Sequence, residues 1–312
     1  MAAFGKSRFI WMNGRLVAWD DATVHVTAHG LHYGTGVFEG MRAYETPAGP
    51  AIFRLDEHLR RMVASAEAYE MTLPFPVEAL AEASAEVVRA NGLTNAYLRP
   101  IAFYDSHSFA VWPQGCPVSV AIIAVPGRQY IAGGVDKGAT VMLSSVRRID
   151  SSSLPPWVKA CGHYTNSVRA VQQAIRGGFD DAILLNAKGD VAEGSGANLF
   201  VVRDGVVVTN DRDASIVMGI TRDSVITIAR DLGLAVEIRP FTTGDLAAAD
   251  ELFFSGTAVE VTPITRLDDR AIGSGAPGPV TRRIQQTYFD TVHGKVPRYE
   301  SWLTPVGPAV PA

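Results

Sequence analysis

Apolar residues come in short runs over the first fifty positions, and turn-forming segments at Asn13-Gly14 and Thr46-Pro47-Ala48-Gly49-Pro50 break them, which predicts β-hairpins. From Asp56 the period changes. Leu59, Met62, Val63, Ala66 and Tyr69 recur at helical spacing and place one apolar stripe on a helix packed against that sheet. A second helix is expected over 77–91, stopped by Gly92, and strands over 97–103 and 118–125 complete an α+β unit. A loop opened by Pro126-Gly127-Arg128 sets a boundary near residue 130. Beyond it, strands at 141–145, 182–185, 199–202, 206–209 and 252–255 alternate with helices near 164–176, 221–232 and 279–292. Tight turns such as Asp204-Gly205 favour antiparallel pairing and argue against a doubly wound parallel sheet. No internal repeat is visible, and the tail 304–312, rich in Pro and Ala, is expected to be loosely ordered.

Composition narrows the classes of function. The 312 residues, 47% hydrophobic and 19% charged, suit a globular protein of two domains. Twenty-eight basic against 32 acidic residues give a net charge of −4 with no basic run, which argues against nucleic acid and for small ligands. Cys116 and Cys161 form no CxxC pair or disulfide framework, and no His/Cys cluster has zinc spacing. The longest apolar run, 118–125, is too short to span a bilayer, and residues 1–13 are interrupted by Lys6, Arg8 and Asn13. A cytoplasmic protein is expected.

The chemistry concentrates after residue 155. Lys159 stands among Trp157, Val158, Ala160 and Cys161, whose apolar bulk would desolvate an ammonium and favour the neutral amine that a Schiff base requires. Tyr164 follows closely and would donate to a phenolate oxygen; a core tyrosine at a helix start is the plainer reading. Glu193, before Gly194-Ser195-Gly196, offers a carboxylate to a pyridine nitrogen, or is simply a turn glutamate. Gly219-Ile220-Thr221-Arg222 opens a helix whose free N–H groups and dipole suit a phosphate, although an ordinary cap reads the same way. Arg61 would add positive charge to that phosphate, and the amides of Ser255-Gly256-Thr257-Ala258 with the Thr257 hydroxyl would serve phosphate or a substrate carboxylate. Amine, acid and helix start together are what pyridoxal phosphate needs. Gly34-Thr35-Gly36-Val37-Phe38-Glu39-Gly40 imitates a dinucleotide loop without its spacing, and His25, His29 and His32 lack the partners of a metal site.

With those residues in view, the chain resembles the fold type IV pyridoxal-phosphate aminotransferases, most closely the bacterial branched-chain amino acid subgroup. The likeness covers nearly the whole chain and rests on His32 to Arg42, Glu57 to Arg61, Tyr97-Leu98-Arg99-Pro100, Lys159 to Tyr164, Glu193 to Gly196, Gly219 to Arg222 and Ser255 to Pro263. The resemblance implies a D-amino acid aminotransferase-like, two-domain α+β fold. A small α/β sandwich domain would span 1–128, an interdomain loop 129–136, and a larger mixed β-barrel-like domain with helices 137–312, with the active site between the domains. It implies Lys159 as the Schiff-base lysine, Glu193 at the pyridine nitrogen, Tyr164 at the phenolate oxygen, and Arg61, Ile220, Thr221 and Thr257 at the phosphate. Phe38, Tyr97, Arg99, Thr257 and Ala258 would line the substrate site, and Tyr33 would come from the other subunit of a homodimer. The implied reaction is a ping-pong transamination of L-leucine, isoleucine and valine with 2-oxoglutarate.

Departures from the subgroup bear on the substrate. Phe109-Ala110-Val111-Trp112-Pro113 replaces a loop that often reads Met-Gly-Val-Asn-Pro, and Gly127 stands where Trp is common. A lost Trp would widen the pocket toward aromatic amino acids or (R)-amines, while Phe109 and Trp112 would narrow it again. His163 replaces a common Asn, and Ala197 a common Glu. An (R)-amine or D-amino acid aminotransferase, an aminodeoxychorismate lyase and a non-catalytic relative share the fold. Tyr97 with Arg99 favours the branched-chain subgroup over all three.

Overall fold

A computed structural model describes residues 5–128, 131 and 134–307. Its described residues divide into two units, one made of 5–128, 158–162 and 291–307, the other of 131, 134–157 and 163–290. Residues 158–162 and 291–307 thus lie beyond the boundary expected near 130 yet fold with the N-terminal residues.

The first unit is an antiparallel sheet with helices on one face. Asn13-Gly14 turns β1 (Phe9–Met12) into β2 (Arg15–Ala18), and Asn13 takes the left-handed conformation that such turns demand. A short helix α1 (His29–Tyr33) precedes β3 (Gly36–Phe38), and β4 (Met41–Thr46) pairs with β5 (Gly49–Phe53) across the second expected turn. Helices α2 (Leu55–Glu67) and α3 (Val77–Ala90) then lead to β6 (Ala96–Tyr104) and β7 (Val118–Pro126). Strand Leu303–Pro305 adds to the edge at β5, so the first tail residues are ordered in the sheet; 308–312 lie outside the described residues. The order is Leu303–Pro305, β5, β4, β6, β7, β1, β2, with β3 against β6.

Sequence accounts for these helices directly. In α2 the stripe buries Leu55, His58, Leu59, Met62, Ser65 and Ala66, and Tyr69 lies beyond the helix end. Asp56 and Glu57 in its first turn favour the positive end of the dipole. Gly92, left-handed, follows α3, as expected of a helix stop. Leu59, Met62, Leu80, Val87, Leu98 and Ile122 meet in one core, and each such side chain contributes about 1.5–3 kcal/mol by leaving water.

The second unit holds α4 (Gly134–Lys137), β8 (Ala139–Leu143), α5 (Tyr164–Arg176), β9 (Asp181–Leu185), β10 (Val191–Gly194), β11 (Asn198–Arg203) and β12 (Val206–Thr209). It continues through α6 (Ile220–Asp231), β13 (Val236–Ile238), α7 (Thr243–Ala247), β14 (Glu251–Gly256), β15 (Glu260–Leu267), β16 (Arg270–Ala271) and α8 (Pro279–Val292). The order is β10, β9, β8, β15, β14, β11, β12, β13, with β16 on β15. Antiparallel pairs outnumber parallel ones, as expected, and β8 runs parallel to both β9 and β15, and β12 to β13, so the sheet is mixed. Part of the expected interdomain loop is the turn α4; residues 129, 130, 132 and 133 lie outside the described residues. No helix among the described residues is long and apolar enough to cross a membrane.

Candidate active site

Lys159 sits in the first unit because its segment pairs with the glycine-rich stretch before it. Phe38 N–H donates to the Lys159 carbonyl at 3.1 Å, Val37 bridges Ala160, and Gly162 N–H donates to the Gly34 carbonyl at 3.1 Å. Gly34 adopts φ +68°, and a Cβ there would lie 2.9 Å from Gly162 Cα, so glycines are required where the backbones cross. The resemblance of residues 34–40 to a dinucleotide loop thus ends in a helix–glycine–strand order that docks the lysine segment. Lys159 Nζ lies 5.0 Å from the Phe38 ring centre, a cation–π distance.

Tyr97 and Arg99 share a face of β6 because strand residues alternate, while Ala96 and Leu98 point into the core. Arg99 Nη2 donates to Tyr97 Oη at 2.8 Å, and its guanidinium stands 4.7 Å from the Phe38 ring centre. Phe38, Tyr97, Arg99 and Lys159 therefore gather in one unit.

Arg61, in α2, is more than an exposed helix cation. Its Nε and Nη2 bind both oxygens of Glu39, at 2.7 and 2.8 Å, and His58 Nδ1–H donates to Glu39 Oε2 at 2.8 Å. Glu39 is wholly buried. Burial alone would raise its pKa, but the Arg61 charge and the His58 hydrogen bond outweigh it and hold the carboxyl well below the usual carboxylate range. Burial pushes His58 the other way, below its ordinary value, against the opposing pull of Glu39.

The histidines near the N-terminus serve structure. His29 is buried, with Nδ1 2.7 Å from Thr35 Oγ1 and Nε2 2.9 Å from the Ala110 carbonyl. His32 Nε2 lies 2.9 Å from the Val26 carbonyl, and His25 Nδ1 2.7 Å from Thr27 Oγ1. Tyr33 is exposed on α1 and donates through its hydroxyl to the Phe109 carbonyl at 2.7 Å. Phe109, Val111 and Trp112 stand 66%, 78% and 67% exposed, on the surface of their unit. At Gly127 a Cβ would overlap Asn95 Oδ1 and lie 3.1 Å from Arg42 Nη2. A side chain at this position would have to displace Asn95.

The second unit carries the other residues. Glu193 lies within the buried strand β10 rather than in a turn. Arg148 Nε donates to its Oε1 at 2.9 Å, and Asn198 Nδ2 and Val217 N–H donate to Oε2 at 3.2 Å each. Asn198 also donates to the Val217 carbonyl at 2.8 Å and packs on Gly219, where a Cβ would overlap Asn198 Oδ1. Gly219 is the N-cap of α6 and lacks a side-chain cap, so Ile220 and Thr221 begin a helix with amide donors available to an anion. One residue, Asn198, thereby fixes the acid and the helix start together. Tyr164 begins α5, and Thr257 and Ala258 follow β14 in a half-buried turn. Arg148, Asn198 and Glu39 escaped the sequence reading; only the neighbourhood of motif residues marked Asn198 and Glu39, and nothing local marked Arg148.

Among the described residues no cluster of His, Cys, Asp and Glu is arranged to hold a metal. A carboxylate with fixed donors and an uncapped helix start instead suit a ligand that has a basic ring nitrogen and a phosphate.

Comparison with known proteins points the same way. The family model for amino-transferase class IV matches residues 36–267. The branched-chain-amino-acid aminotransferase of Pseudomonas aeruginosa is 43% identical over 305 residues, 97% of this chain and 99% of that protein. The branched-chain aminotransferase of Thermoproteus uzoniensis with norvaline superposes with a TM-score of 0.92 at 42% identity, covering 96% of this chain and 100% of that one. The branched-chain amino acid aminotransferase of Thermobaculum terrenum in its PLP form gives 0.91 at 37% identity, covering 97% of this chain and 99% of that one.

Proposed function

The chain belongs to the class IV amino-transferases, and from that membership and its site residues we propose that it transfers amino groups from L-branched-chain amino acids to 2-oxoglutarate with pyridoxal phosphate as cofactor. One observation carries the reading: in a single unit, a buried carboxylate and an uncapped helix start are held by the same asparagine, Asn198. A ring nitrogen and a phosphate require that combination. Of the two solved structures compared above, one is in its PLP form and the other is with norvaline, an aliphatic amino acid, which supports cofactor and substrate class.

When bound, pyridoxal phosphate supplies an aldehyde that condenses with amines and a ring that draws electrons from the substrate α-carbon. In this reading Lys159 Nζ would hold the cofactor and, when released, would move a proton from the donor's Cα to the cofactor and, in the second half-reaction, from the cofactor to the acceptor's Cα. Glu193 Oε accepts the hydrogen bond of the ring nitrogen and keeps its proton there. Tyr164 donates to the phenolate oxygen. Thr221 and Ile220 at the start of α6, with Arg61 and Thr257, bind the phosphate. Arg99 and Tyr97, with the amides at Thr257 and Ala258, select a carboxylated substrate, because a half-buried cation and oriented donors are costly to leave unmatched. Phe38 offers the apolar wall against a branched side chain.

The working form in this proposal is a homodimer in which Tyr33 completes the neighbour's substrate site. Exposed Leu31, two residues before Tyr33, and exposed Phe109, Val111 and Trp112, in the loop whose Phe109 carbonyl accepts from Tyr33, support it, since exposed apolar side chains of this kind seek a partner.

Single-turnover rates for leucine, valine, phenylalanine and an (R)-arylethylamine test the reading, with 2-oxoglutarate as acceptor and sedimentation at the same concentration. Leucine should react fastest, on a dimer. A strong preference for the amine, or repeated turnover without a keto-acid acceptor, contradicts the substrate assignment; a fully active monomer contradicts the shared site.

A further inference from the structure

Glu193 is only useful beneath a ring nitrogen if it stays a carboxylate, and it is buried, where an isolated charge is costly. Arg148 answers that cost. It is equally buried, and its Nε stands 2.9 Å from Glu193 Oε1. Asn198 and Val217 offer neutral donors at the longer distance of 3.2 Å, so of these three partners Arg148 is the one that brings charge. Its own placement is firm: Arg148 N–H donates to the Leu185 carbonyl on β9, the strand beside β10, at 2.8 Å. Arg148 Nη2 donates to the Pro156 carbonyl at 3.2 Å, three residues before Lys159 in the chain, and Trp157 lies under the Arg212 guanidinium at 3.8 Å.

We propose that Arg148 is a positioning residue that keeps Glu193 the weaker base of the pair it forms with the cofactor, so that the shared proton rests on the ring nitrogen. The inference rests on the proposed function above. In the hydrogen bond between ring N–H and Glu193 Oε one proton has two resting places. A guanidinium at Oε1 stabilises the charged form of the carboxylate and leaves the proton on nitrogen. Without that charge, burial favours the neutral acid, and the proton moves from the ring nitrogen to Oε. The ring then withdraws electrons less strongly, and the step at the substrate Cα slows.

The test uses holoenzyme loaded with pyridoxal phosphate labelled with 15N in the ring. Wild type should show the protonated-ring resonance at neutral pH, and Arg148→Gln the neutral-ring resonance, with kcat at least about tenfold lower and KM changed far less. Arg148→Lys should restore the ring proton at neutral pH and lose it as pH rises, because an ammonium deprotonates where a guanidinium does not. The double variant Arg148→Gln/Glu193→Gln should match Glu193→Gln alone. If Arg148→Gln does not fold, the lysine variant and the double variant, which removes both buried charges at once, make the same comparison. A protonated ring in Arg148→Gln, an Arg148→Lys profile equal to wild type, or additive losses in the double variant would overturn the inference while leaving the function intact. Wild-type protein that takes up no pyridoxal phosphate would instead overturn the function, and the inference with it.

Discussion

Arg61 illustrates what a residue gains from its surroundings. In the sequence it is one helix cation among many, yet in the fold its guanidinium grips both oxygens of the buried Glu39, which also takes a hydrogen bond from His58. Arg61→Ala therefore has two expected effects. Loss of the proposed charge-assisted bond to the phosphate, worth about 1.5–3 kcal/mol, should weaken cofactor retention roughly tenfold to a hundredfold. Stranding Glu39 should also lower stability, by up to about 3–5 kcal/mol for a broken buried pair. Equilibrium binding of pyridoxal phosphate to the folded variant separates the effects, and unchanged affinity would remove Arg61 from the phosphate. Lys159, Glu193 and Thr221 were legible because each sits in a short motif whose neighbours share its purpose. Arg148 and Glu39 were not, because their partners lie 45 and 22 positions away. The surroundings of Gly127 were hidden for the same reason, since the side chains nearest to it belong to Asn95 and Arg42.

Elements with a clean period were read well. Helices α5 and α8 fall on the expected 164–176 and 279–292, and most expected strands lie within a few residues of their places. The missed strands explain themselves: β15 contains Pro263, which ordinarily argues against an interior strand, and β10 is four residues ending in Glu-Gly. Strand β9 begins at Asp181, whose carboxyl is buried and accepts from Ala182 N–H at 2.7 Å as well as from Ser195. Burial pushes this carboxyl up from 3.8 to about 6, outweighing those hydrogen bonds. A raised folded value means that its favourable contribution is full below about 3.8 and is lost as pH rises through about 6. Asp181→Asn, neutral at every pH, should accordingly gain stability relative to wild type across that window, by at most about 3 kcal/mol. Thermal melts over the pH range check this; a difference independent of pH would show that Asp181 does not titrate as its burial requires.

At the scale of the whole molecule, the chain order of the domains was only partly visible. Local patterns placed a break near 130, but nothing local says that residues 158–162 pair with 34–38 or that Leu303–Pro305 joins a sheet begun three hundred residues earlier. Those long-range pairings decide which unit carries the amine: Lys159 folds with Arg61, Tyr97 and Arg99, while Glu193, Thr221 and Thr257 fold in the other unit. The central claim is that the amine supplied by that returning segment is the one that holds the cofactor. Borohydride reduction of the purified, pyridoxal phosphate-loaded protein followed by peptide mapping tests it most directly. The account predicts a reduced phosphopyridoxyl group on Lys159 and its loss in Lys159→Ala; the group on any other lysine, or none in a protein that binds the cofactor, would contradict it.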